Sequence, residues 1–151
     1  MYEYALFVHV LLAVIWVGGG LTMLLLGGRL RKSDDAGKVA EFGSHAEWIG
    51  THVYLPSSIL LFLAGVYMVI DGDWGWGTPW VVMGIVGWLF SALVGSLYLG
   101  PQGKKLKADM DAGTITDEGL LARVDRIVNV QRIEWLVFLI VVWAMTVKPG
   151  V

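Results

Sequence analysis

Four long apolar runs divide this chain, and nearly all of its charge lies between them. The first covers residues 5–28, with His9 as its only titratable side chain; the second covers residues 48–70 and includes His52 and Pro56; the third covers residues 79–100. Each meets the roughly 20 residues a helix needs to cross about 30 Å of hydrocarbon. The fourth run, residues 135–147, is shorter, about 20 Å as helix. To span, its helix must begin near Ile127 and carry Arg132 and Glu134 with it. Arg132 can snorkel to the surface, whereas Glu134 must be accommodated. The pattern predicts an all-α protein, a single domain over residues 1–151 built as a four-transmembrane-helix bundle. Its helices are expected at about 5–28, 46–70, 79–100 and 127–147.

The segments between the runs also carry helical signals. Ser33-Asp34-Asp35 is a helix start, from which a short surface helix runs into the second span. Gly113-Thr114 breaks the third connection, and Thr116 then caps a stretch opening with Asp117 and Glu118. Leu120, Leu121, Val124, Ile127 and Val128 recur at helical spacing, with Arg123 and Arg126 on another face. This predicts an amphipathic helix that rests on the cytoplasmic membrane surface and leads into the fourth span.

Composition supports the membrane reading: 56% of residues are apolar and 16% are charged, against about 25% charged in soluble domains. Ten of the eleven Lys and Arg lie in the first and third connections or just inside the fourth span, and Lys148 is alone at the other end. The second connection, residues 71–78, has two acids and no base. By the positive-inside rule the first and third connections are cytoplasmic and both termini lie outside, in the plasma membrane. The opening run lacks a basic n-region and is too long for a signal peptide, so it is expected to be retained. Trp74, Trp76 and Trp80 are expected to form an outer aromatic belt, with Trp48 and Trp135 at the inner interface. No basic stripe suits nucleic acid. Absent cysteine removes disulfides and thiolate chemistry.

Small residues mark the packing faces. Gly18-Gly19-Gly20 lies in the first span, and Gly87, Ser91 and Gly95 recur four apart in the third. Such faces let backbones approach, within one chain or across a homodimer. Pro56, followed by Ser57 and Ser58, is expected to kink the second helix.

Three ionisable groups within the spans are candidates for chemistry: His9, His52 and Glu134. Trp16 and Gly20 follow His9 by seven and eleven positions and share its helix face. Imidazole ligates haem iron in helical bundles, and the bland alternative is an interhelical hydrogen bond. His9 and His52 belong to opposite ends of the bundle, about 15 Å apart in depth, so they are not expected to share one iron. A second ligand for His9 would come from Met68, Met83 or Met145. His52 with Glu134 is a candidate proton site, with a salt bridge from Arg132 to an acid on a neighbouring helix as the bland reading; His45 is seven residues before His52.

The stretch His9-Val-Leu-Leu-Ala-Val-Ile-Trp16-Val-Gly18-Gly19-Gly20 resembles the first helix of a superfamily of small bacterial membrane proteins, and the ending Lys148-Pro149-Gly150 resembles its close. Its members include HemJ-type protoporphyrinogen oxidases, the copper-resistance protein D family and an uncharacterised family of predicted integral membrane proteins, to which the chain is most similar. The resemblance implies that His9 ligates haem b, with Trp16, Gly19 and Gly20 lining the cofactor groove. It does not carry the enzyme activity over, because the third span has no Lys, Arg or His. Copper handling lacks the soluble His/Met clusters it would use. The expected function is haem b binding with electron transfer or redox chemistry to a membrane partner, oxidoreductase-like if enzymatic. The alternative is a structural or transport-accessory protein without cofactor. An ion pathway through His9, His52 and Glu134 ranks last, since the middle of the bundle has almost no polar residue.

Overall fold

The structure is a computed structural model that describes residues 1–33 and 35–151, with the backbone alone at Ala36. It is all-helical among those residues, and four helices are long and apolar enough to cross a membrane. Helix α1 is Tyr2–Lys32. Helix α2 comprises Ala36–Ile49, a π-turn Gly50–Tyr54 and Leu55–Asp71. Helix α3 comprises Pro79–Leu93, a second π-turn Val94–Leu99 and Gly100–Asp111. Helix α4 is Asp117–Val147. α1 packs chiefly along the second half of α2, and α4 packs on α1 and α3.

Both π-turns end two residues before a proline, and chemistry explains the coincidence. Proline lacks an N–H, and its ring clashes with the carbonyl four residues back. Those carbonyls belong to His52 for Pro56 and to Leu97 for Pro101, and both residues lie inside the widened turns. The residue before each proline bonds five back instead, Leu55 N–H to Gly50 and Gly100 N–H to Gly95. The predicted disturbance at Pro56 is therefore a register change, and Pro101 repeats it in α3. The turn at Gly50–Tyr54 leaves Tyr54 against Gly19, where a Cβ would lie 2.5 Å from the phenol oxygen.

All four helices reach beyond the predicted spans at the base-rich end. The helix start there is real: the Asp35 carboxylate accepts from Lys38 N–H at 3.1 Å, while Asp34 lies outside the described residues. Thr116 caps α4 by accepting from Gly119 N–H at 3.2 Å, after a turn in which Gly113 takes φ 63°. The amphipathic stretch differs from expectation in one respect. It continues into α4 as one 31-residue helix, and its apolar face meets protein: Leu120 and Val128 are buried, as are Val39 and Leu106 on the facing extensions. The reason is that α2 and α3 also overrun the bilayer length and supply apolar partners. Arg31 pairs with Asp125 at 2.9 Å and Arg123 with Asp109 at 2.6 Å across this end.

At the opposite end Val69, Trp80, Val81 and Ala144 form a buried cluster. Trp80 thus belongs to the core and not to an aromatic belt, while Trp48 and Trp76 are exposed as a belt requires. Many large apolar side chains on the outer faces, such as Leu25, Leu63, Val86 and Leu136, are also exposed. That is the expected surface of a bundle solvated by lipid.

Candidate functional site

The four helices enclose an apolar cavity of about 530 Å³ towards the end that carries both termini. α1 lines it with His9, Ala13, Trp16 and Gly18; α2 with Leu61, Phe62, Gly65 and Met68; α3 with Trp80, Gly84, Gly87 and Trp88; α4 with Phe138, Val141, Met145 and Thr146. Its size and character are those of small-molecule sites, which are mostly apolar with few polar groups. Val10, Val14 and Trp76, each at least half exposed, also line it, so the cavity opens towards the outer surface of the bundle.

Small residues create this space. A Cβ at Gly65 would sit 3.1 Å from the His9 imidazole, so Gly65 lets the ring lie against α2. His9 Nδ1 is 3.0 Å from the Leu61 carbonyl oxygen. A carbonyl only accepts, so the bond puts the proton on Nδ1 and leaves Nε2 with its lone pair. This is how ligating histidines are commonly oriented.

Two other polar side chains on the wall are engaged. Trp88 Nε1 donates to the Ser58 carbonyl at 3.0 Å, and Thr146 Oγ1 donates within its own helix at 2.9 Å. The Trp80 indole N–H is buried without a partner among the described residues. Among the polar side chains of the wall, His9 thus keeps Nε2 as a ring nitrogen not used in the bond to Leu61.

The sequence candidates divide clearly against this geometry. His9 and Trp16 line the cavity, and Trp16 packs on Phe138 with centroids 4.6 Å apart. Gly19 and Gly20 do not line it: Gly19 makes room for Tyr54, and Gly20 faces Phe138. Gly18 lines it in their place. Met83 packs against the core cluster away from the cavity, whereas Met68 and Met145 are on its wall.

His52 and Glu134 do not meet. His52 is exposed, stacked on Trp48 at 4.8 Å, with Nδ1 3.0 Å from the Trp48 carbonyl. His45 is exposed as well. Arg132 donates to Asn129 of its own helix at 2.9 Å, where the bland reading had a salt bridge to a neighbouring helix. The Glu134 carboxylate accepts from the buried Ser91 hydroxyl on α3. Ser91 was legible only as a small packing residue; its place four positions after Gly87 on the face towards α4 was the available signal. Ser91→Ala is expected to cost about 1–3 kcal/mol by orphaning the Glu134 carboxyl. Glu134→Gln keeps an acceptor and is expected to cost less, a ranking readable from denaturation in detergent micelles.

No group of three His, Cys, Asp or Glu among the described residues could hold a bare metal ion. No curated protein and no solved structure matches the chain. A family model for predicted integral membrane proteins, DUF2269, matches residues 3–149, and the chain belongs to that family.

Proposed function

We propose that this protein binds haem b in the cavity between its four helices, with His9 Nε2 as the iron ligand, and serves in electron transfer with a membrane partner. The observation that carries the reading is the His9 arrangement: an imidazole on the wall of an apolar cavity, its Nδ1 bonded to the Leu61 carbonyl. The donor set suits haem better than a bare ion, because the porphyrin supplies the iron's four equatorial ligands and the protein need add only one or two. Met68 and Met145 are the cavity methionines available as a second ligand. Haem supplies one-electron chemistry when bound. The chain's own part is to hold the imidazole in one tautomer, to cover the ring with Trp16, Phe138 and Trp88, and to exclude water.

The base distribution supports a plasma-membrane orientation with both termini outside. A reporter fused after Val151 that is active only in an oxidising, non-cytoplasmic compartment is expected to be active; activity of a cytoplasm-only reporter there would reverse the assignment.

The haem reading is tested by optical titration of the purified full chain in lipid nanodiscs. One saturable site per chain, with a sharpened Soret band, is expected. Unsaturable uptake proportional to lipid, with no spectral change, would leave a cofactor-free structural or accessory role.

A further inference from the structure

We infer that a groove between the end of α1 and the start of α2 holds an anionic phospholipid by its headgroup phosphate. The site is separate from the His9 cavity and does not depend on the haem reading.

The groove has a volume of about 440 Å³ and is lined by Leu26, Arg29, Leu30, Lys32, Ser33 and Lys38. Leu26, Arg29, Leu30 and Ser33 are spaced i, i+3, i+4 and i+7, so they fall along one face of α1 as it ends. Lys32 flanks that face, and Lys38 comes from the first turn of α2. Leu26 belongs to the first apolar run, and the bases follow it directly. The groove therefore straddles the boundary between hydrocarbon and headgroups.

The wall selects the ligand, because it holds three cations and no acid among the described residues. Arg29 and Lys32 make no ion pair there, in contrast to Arg31, which pairs with Asp125 at 2.9 Å. Lys38 Nζ is 2.9 Å from the Asp35 carboxylate, yet its side chain stays 64% exposed. An ammonium keeps further donors after one such contact. Arg29 adds a planar fork that can meet two phosphate oxygens at once. Leu26, 44% exposed, and Leu30 offer apolar contact beside the bases. A free phosphate ion would use the bases alone, and an uncharged lipid the leucines alone. A phosphodiester carrying acyl chains uses both, and basic pockets at membrane interfaces take such headgroups.

Two other causes can place bases here without a ligand. Cations complement a helix C-terminus, and the positive-inside bias favours them in this connection. Neither creates a preference among lipids that depends on these particular residues, and the test separates them on that point.

The experiment is native mass spectrometry of the full chain released from detergent micelles. The chain is titrated with phosphatidylglycerol or with phosphatidylcholine of the same acyl chains. The wild type is expected to retain one phosphatidylglycerol with at least about tenfold preference, within what two or three interfacial bases supply. Arg29→Gln with Lys32→Gln is expected to lose that preference, and Arg29→Lys with Lys32→Arg to keep it. Lys104→Gln with Lys105→Gln removes the same charge from exposed positions elsewhere at the base-rich end and is expected to keep it. Equal retention of the two lipids by the wild type overturns the inference. So does a preference that survives Arg29→Gln with Lys32→Gln. A preference lost equally with Lys104→Gln and Lys105→Gln marks a diffuse charge effect and also overturns it. Displacement of the lipid by an equal concentration of inorganic phosphate overturns it too, since the leucines would then contribute nothing.

Discussion

Gly87→Ala is expected to destabilise the bundle by about 1–3 kcal/mol, and Gly84→Ala by clearly less, although both glycines face α4 at equally close range. A Cβ at Gly87 would lie 2.2 Å from Val141 Cγ2, and one at Gly84 would lie 2.0 Å from Met145 Cε. The difference lies in what must move. Valine is β-branched and stiff about χ1, so α4 itself has to retreat from α3. The methionine terminus is unbranched and can swing aside into the neighbouring cavity. Separation of α3 and α4 would also stretch the Ser91–Glu134 bond one turn away. Denaturant titration of both variants in one micelle composition checks the ranking. Equal losses would mean that Val141 has more freedom than its branching allows.

His9→Ala is expected to weaken haem binding by at least about a hundredfold, with restoration by added imidazole. Loss of an outer partner of a metal ligand already costs 10–100-fold, and loss of the ligand itself should exceed that. Apo-protein stability should fall little, because the Leu61 carbonyl keeps its helical partner and His9 is only partly buried against Gly65. Replacement of the exposed His45 or His52 should leave the titration unchanged. An unaltered His9→Ala titration would move the ligand elsewhere.

The spans were legible because a bilayer imposes one long apolar run per crossing, and that property survives without knowledge of the fold. Thr116 and Asp35 as caps were legible for the same local reason. The finer placement was not. Neighbouring helix positions differ by about 100° in direction, so the choice of Gly18 over Gly19 depends on how α1 is rotated against α2. The π-turns add further rotation in α2 and α3; Pro56 interrupts an apolar run and is visible as a disturbance, whereas Pro101 lies just past the third run and follows the same chemistry. Trp80 looked like a belt residue because it opens a span beside Trp74 and Trp76, but the C-terminal residues and Val69 cover it. Glu134 was recognised as a carboxyl needing a partner, and the partner was a serine of the packing stripe.

The most direct test of the central claim is nitrogen hyperfine spectroscopy of the ferric haem complex prepared with 15N-histidine. Coupling to a histidine nitrogen is predicted in the wild type, unchanged when His45 and His52 are replaced and lost in His9→Ala. Bound haem without histidine coupling, or coupling that persists in His9→Ala, would contradict the assignment of His9 as the iron ligand.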